Sequence, residues 1–474
     1  MPVRVGFELS MQPPGQASGV NRGPAAVRRL LLLGNFSGQP ATDRTPLALR
    51  PTHRVDLDNL DTVLARLTPH LTLKLGQDSH ALAFACLEDF DAESLLLHSE
   101  PLNRLSQLVT QLKNPASFAK AAAAWMGWGT QTADQAVRSL ADLLGGQVTA
   151  PPSPANAASL ASGIDAFIRQ VVASPAEPAA PPQQTAFVAA TQSALSLSLR
   201  ALLHHPELQA LEALWRGVAW LLSTLELDET LELHLLDVTC EELLQDADQA
   251  DGQAIAMQLT AALKANSGGG PKAWSALLGL RSFDNSAQDL GLLGALGRVA
   301  QATRAPFVAG AGASLLAAML RQTSPAGAAQ PDLTHWQVLR RSEVANWIGL
   351  AAPRLLMRVP YGRGGQHVPG LEFEETDSAS DPECYLWGPA ALACAWAWVQ
   401  PPGSNTIDGL PGWSVRRNGE VEQLPCAEHW LSDTDWQALL QAGVMPLVSH
   451  AGRHAVQLPR LQSVAQPARA LGGT

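Results

Sequence analysis

From Leu231 onward, strand-length apolar runs alternate with helix-length segments, and this rhythm constrains the fold more than any other feature. Leu231 to Leu236 alternates with Glu232 and His234 as a strand, and Glu241 begins a helix. Ala273 to Leu280 reads as a buried strand, Asp289 to Ala302 as a helix, and Pro306 to Ala309 as another strand. Strands separated by helices form crossover units, which place the strands in parallel in one sheet with helices over its faces. The expected class is α/β, with a mixed, partly parallel sheet.

Upstream, Arg28-Arg29 lead into the run Leu30 to Leu33, closed by Gly34-Asn35-Phe36-Ser37-Gly38. Such a run fits a strand buried on both faces. Val55 to Leu57 is a short strand, and Asp58 is placed to cap a helix over Asn59 to Leu67. Leu71, Leu73 and Leu75, then Ala81 to Leu87, predict a strand pair around Gly76 to His80. Asp89-Phe90-Asp91 caps one helical stretch running through Leu112. His204-His205-Pro206 breaks a helix that ends at Leu203, and a long helix over Glu207 to Leu225 carries Leu208, Leu211, Trp215, Val218 and Leu222. After Tyr385 the pattern decays into Trp- and Pro-rich turns.

The first segment, Val3 to Leu9, alternates as a lone strand tethered by a Gly/Pro-rich arm. A lone strand leaves its backbone groups unpaired, so Arg4, Val5, Gly6, Phe7, Glu8 and Leu9 are the candidate interaction residues, adding to a sheet edge in this chain or a neighbour. Pro151 to Pro182 is rich in Pro, Ala and Ser around one helix-sized island, Leu160 to Val172. Ala133 to Leu144 is amphipathic and ends at Gly145-Gly146. The expected organisation is therefore a small α/β unit over 1–128, a linker with short helices over 129–186, and a larger α/β domain over 187–474.

Composition excludes several classes. Thirty-two basic residues against 43 acidic ones give a net charge of -11, with no surplus to replace counterions on nucleic-acid phosphates. The longest uncharged apolar stretch, around Ala390 to Val399, is half of the ~20 residues a membrane span needs, and MPVRVGFELS lacks a signal peptide's apolar core. Five cysteines (Cys86, Cys240, Cys384, Cys394 and Cys426) lie far apart without a CxxC pair, as reduced thiols of a cytoplasmic protein do.

Gly362-Arg363-Gly364-Gly365 and Gly310-Ala311-Gly312-Ala313 lack the G-K-[ST] of a phosphate loop and read as tight turns. Adjacent His204 and His205 point ~100° apart on a helix and cannot readily chelate one ion. Glu374, Glu375, Asp377, Asp381 and Glu383 lack calcium-loop spacing and read as a solvated loop or a docking face. Neither G-x-S-x-G nor H-E-x-x-H occurs. No catalytic, metal or cofactor residue is named, and no enzyme activity is expected. Of the 13 tryptophans, Trp387, Trp396, Trp398, Trp413, Trp430 and Trp436 fall late, as core or as interface anchors.

These strings resemble a known family. R-V-G-F-E-L, L-L-L-L-G-N-F-S-G at 30–38, V-D-L-D-N-L-D at 55–61 and E-D-F-D-A-E-S-L at 88–95 are similar to the small subunit of the type VI secretion contractile sheath, TssB. L-L-H-H-P-E-L-Q-A-L-E-A-L-W-R-G at 202–217, A-P-F-V-A-G-A at 305–311, W-I-G-L-A-A-P-R-L-L-M-R-V-P-Y-G at 347–362, F-E-E at 373–375, Y-L-W-G at 385–388 and G-V-M-P-L-V at 443–448 are similar to the large subunit, TssC. The resemblance implies a fusion of the two subunits, which in that family pair tightly and stack into a tube around Hcp rings. It also implies partners among sheath subunits or baseplate proteins, or self-association. The chain ends soon after G-V-M-P-L-V, where a large subunit would continue with a further domain. That expectation favours a sheath-related adaptor or end-of-sheath factor over a fused protomer of the wall or a soluble regulator. It also sets contact with the Hcp tube in doubt, and leaves binding of a ClpV-type ATPase open.

Overall fold

A computed structural model describes residues 27–41, 44–76, 78–124, 181–225, 227–249, 259–264, 273–321, 332–362, 365–376, 382–401, 403–417 and 420–471. Arg4 to Leu9, Ala133 to Leu144, Leu160 to Val172, Arg363, Gly364, Asp377 and Asp381 lie outside these residues.

The leucine run forms β1 (Arg28–Gly34) and enters a sheet built largely from sequence about 200 residues away or more. The other strands of that sheet are β2 (His53–Val55), β5 (Leu231–Asp237), β6 (Ala276–Phe283), β7 (Phe307–Ala311), β8 (Ile348–Ala352) and β14 (Val444–Pro446). Their order is β14-β8-β7-β6-β1-β5-β2. Every neighbouring pair is parallel except the last, where β2 runs antiparallel to β5. β1 is therefore an interior strand. Arg28 to Gly34 pair with Leu231 to Asp237 on one side, and Leu30 to Leu33 with Ala276 to Gly279 on the other.

An interior parallel strand has both faces covered, which explains four consecutive leucines. Leu30 and Leu32 face one core; Leu31 and Leu33 face the other. Helices cover both sides. α1 (Leu60–Leu67), α2 (Ala92–His98), α3 (Glu100–Lys113), α4 (Pro181–Leu203) and α5 (Pro206–Thr224) lie on the first side. α6 (Cys240–Gln249), α7 (Ala287–Thr303), α8 (Ala313–Arg321) and α9 (Thr334–Arg341) lie on the second. The first core is continuous across the chain: Phe36, Val63, Leu73, Phe90 and Leu102 pack in one cluster with Leu199, Leu208, Trp215 and Leu392.

The long helix is as the spacing predicts. All five of its named apolar residues are buried, and His205 caps it by accepting the Glu207 amide at Nδ1, 3.3 Å. Elsewhere the chain departs from expectation for local reasons. Asn59, not Asp58, precedes α1, tied to Asp56 by reciprocal side-chain to amide hydrogen bonds of 3.0 Å. The stretch after Asp91 is two helices, because Pro101 has no N–H to give the Leu97 carbonyl. The Asn103 side-chain Nδ2 donates to that carbonyl instead, at 2.9 Å. The strand pair is β3 (His70–Leu75) with β4 (Asp78–Ala83); the second arm starts three residues and ends four residues before the expected Ala81 to Leu87, so Asp78 to His80 are strand rather than turn.

Beyond Tyr385 the chain is more regular than its sequence suggests. α10 (Ala391–Val399) and α11 (Asp433–Ala442) are helical, and short strands form between them. Trp413 is buried and Trp430 is 46% exposed. Gly310 and Ala311 end β7 rather than forming a turn, and Gly312 leads into α8. α4 is long and apolar enough, over Gln184–Leu203, to cross a membrane by length and composition. Here its Leu195, Leu199, Leu202 and Leu203 face the first core.

Candidate functional site

A buried network of charged side chains lies where residues 27–124 meet the rest of the chain. Arg358 ends β9 (Leu355–Arg358) inside the protein. Its Nε donates to Glu212 Oε1 of α5 at 2.8 Å, while Nη1 and Nη2 grip the Glu375 carboxylate at 2.8 and 3.0 Å. Two parallel donors matched to one carboxylate are the strongest geometry such a pair adopts. The Tyr361 amide also donates to Glu375, at 2.7 Å, and the guanidinium lies 4.4 Å from the Tyr361 ring centre.

One turn along α5, Arg216 carries the network across. Its Nε donates to Glu212 Oε1 at 2.6 Å and its Nη2 to Asp91 Oδ1 at 2.8 Å. Asp91 stands at the start of α2, but its carboxylate turns to Arg216 and to the Tyr361 hydroxyl, which donates to it at 3.3 Å. The Ala92 amide donates to that same hydroxyl at 3.2 Å. Above these, Trp215 Nε1 donates to the Phe36 carbonyl at 3.0 Å, with the two rings edge-on at 5.4 Å.

Electrostatics explains why this buried cluster is tolerated. Burial pushes the Glu212 carboxyl upward, but Arg358 and Arg216 outweigh it and hold it below the usual range. Burial lowers Arg358, and Glu212 with Glu375 more than reverse that. Burial pushes the Tyr361 hydroxyl up to about 12, so it stays a proton donor. Glu375 is therefore no solvated loop residue: it is 1% exposed. Leu371, Phe373 and Glu375 are all buried while Glu372 is exposed, so a period-two pattern drives Glu375 inward beside Arg358.

The carboxyl ends of β1 and β5, a place where open α/β sheets take ligands, are filled from within. Arg44 pairs with Asp237 at 3.1 Å, and Arg50 with Glu242 at 2.6 Å. Ser37 Oγ donates to Asp237 at 2.7 Å. On the β1–β5 pair, Arg29 bonds Glu232 at 3.0 Å and stacks 4.2 Å over Trp274. Among the described residues no group of three or more His, Cys, Asp or Glu is set to hold a metal ion. A cleft of about 380 Å³ lies over Lys113, Gln192, His367 and Glu372, beside the junction of α3 and α4.

Of the network residues, motif reading singled out only Glu375, in an acidic cluster read as a solvated loop or a docking face, yet each lies inside a string that carries the resemblance. Asp91 is in E-D-F-D, Glu212 and Arg216 in L-E-A-L-W-R-G, Arg358 and Tyr361 in L-L-M-R-V-P-Y, and Glu375 in F-E-E.

Comparison with known proteins agrees with this division. Residues 185–465 match the VipB tail sheath N-terminal domain, and residues 27–123 match the type VI secretion system protein VipA. The type VI secretion system sheath protein TssC1 of Pseudomonas aeruginosa is 28% identical over 312 residues, covering 59% of this chain. The chain spans 61% of the length of that relative. The sheet that joins both matched segments, with the network that bridges them, thus belongs to a member of the type VI secretion tail sheath family, a TssB/TssC-type protein.

Proposed function

We propose that the chain is a non-enzymatic, cytoplasmic building block of a type VI secretion apparatus: a small–large sheath pair made as one polypeptide. The reading takes residues 1–128 as the small part, 129–186 as the connection and 187–474 as the large part. One observation carries it. β1, from the VipA-like segment, is hydrogen-bonded on both edges by strands of the VipB-like segment. Arg44 and Arg50 filling the strand ends supports a structural rather than catalytic role.

Its partners under this reading are sheath subunits, including copies of itself. The test is co-assembly. Purified chain carrying a gold-binding tag is mixed with sheath subunits, pelleted and imaged by negative stain. Label along tube walls is the expected result, and a chain left in the supernatant refutes the reading. Label confined to tube ends would make it an adaptor, and loss of tubes would make it a sequestering regulator. Co-purification from the same mixture tests baseplate proteins, Hcp and a ClpV-type ATPase.

A further inference from the structure

We infer that this chain excludes a separately made small sheath subunit, because its own residues 27–124 occupy that subunit's place. The inference rests on the paired-protomer reading above. Tube formation and subunit exchange are separate measurements, so either can fail alone.

By the pairing seen within this chain, a small subunit joins the large part through the gap between β5 and β6. That gap is closed by β1, from Arg28↔Leu231 to Gly34↔Asp237 on one side and Leu30↔Ala276 to Leu33↔Gly279 on the other. An intruding strand finds no free edge there. It would also have to displace Asp91 from Arg216 and Phe36 from Trp215.

The connection favours this pairing within the chain. Gln184 Nε2 at the start of α4 donates to the Leu112 and Lys113 carbonyls at the end of α3, 2.8 and 3.1 Å. Phe118 and Phe187 meet edge-on at 5.9 Å. The described chain on either side of segment 125–180 is thus held in one corner. A tether across so short a gap gives an effective concentration of about 1 mM. Against a free competitor of equal affinity at about 10 µM, the tethered part is preferred about 100-fold.

The experiment places a protease site in segment 125–180 of the full chain. Donor chain, tagged at its N-terminus and cut, supplies the small piece. Acceptor chain carries a different C-terminal tag and is used cut or uncut. Donor and acceptor, about 10 µM each, are mixed in urea and dialysed together, so slow exchange does not limit the outcome. The expected result is that cut acceptor takes up donor small piece freely, while uncut acceptor takes up about 100-fold less. Uptake by uncut acceptor within tenfold of the cut form overturns the inference. Separation of the two pieces after cutting overturns it equally, since no self-sufficient pairing would then exist.

Discussion

Replacing Arg358 with Met isolates the central cation of the seam. Met keeps much of the side chain's length and bulk but leaves two buried carboxylates without their shared partner. Glu212 keeps Arg216 at 2.6 Å, whereas Glu375 loses its two-pronged partner and keeps the Tyr361 amide at 2.7 Å and His204 Nε2 at 3.8 Å. Removing one member of a buried ion pair costs about 3–5 kcal/mol, because the remaining charge stays desolvated. The pH dependence follows from Glu212, whose folded-state pKa is lowered. A lowered carboxyl stabilises the fold above its unfolded pKa, and that contribution is lost as pH falls through the folded value. In Arg358→Met this contribution shrinks. The deficit relative to wild type is then full at neutral pH and narrows as pH falls below about 4.5. Urea unfolding followed by tryptophan fluorescence measures it, Trp215 being within the seam. Adding Glu375→Gln should recover more than half of the loss, because no bare carboxylate then remains in the core. A variant within about 1 kcal/mol of wild type, or a double variant no better than the single, refutes the account.

Three further outcomes are expected. Trp215→Ala should cost about 3–5 kcal/mol by urea unfolding, since it empties a buried aromatic site and orphans the Phe36 carbonyl. His80, buried against the Ser99 hydroxyl at 2.7 Å, is lowered by burial, which Asp78 opposes and His205 reinforces to a lesser degree. Its stabilising contribution is present above pH 6.5 and lost as pH falls, and an NMR titration midpoint at or above 6.5 contradicts this. Burial pushes Cys394 up to about 12 and Cys426 to about 11, so native protein at pH 8 should leave both unmodified by a thiol reagent while partly exposed Cys384 reacts.

Much of the fold is legible where one physical demand acts along one segment. Leu30 to Leu33 announces a doubly buried strand, and the spacing from Leu208 to Leu222 announces a helix, which the fold buries beyond that one stripe, at Ala213, Leu214 and Gly217 as well. Legibility fails where the deciding contact is distant in sequence. Nothing local tells that β1 inserts between β5 and β6, nor that Asp91 turns away from its helix toward Arg216, 125 residues on. Ala391–Val399 reads as formless because a helix of small and apolar residues with little polar content shows no polar stripe. The short strands beyond it, only two to four residues each, offer too few positions for alternation to show. Glu375 is the instructive case: its acidic neighbours suggest a solvated loop or a docking face, and the alternation with Leu371 and Phe373 tells that it turns inward, to Arg358.

The position of β1 also sets the order in which the chain is completed. Arg29 and its ladder partner Glu232 are 203 residues apart, and β6 ends later still, at Phe283. At synthesis rates of about 5–20 residues per second, roughly 12–50 s separate the emergence of the leucine run from that of its second neighbour. Until β5 emerges neither edge of this leucine run is paired, and its second edge stays open until β6 follows. Nascent-chain capture by chaperones should therefore peak on ribosomes that have passed Gly34 and not yet reached Phe283.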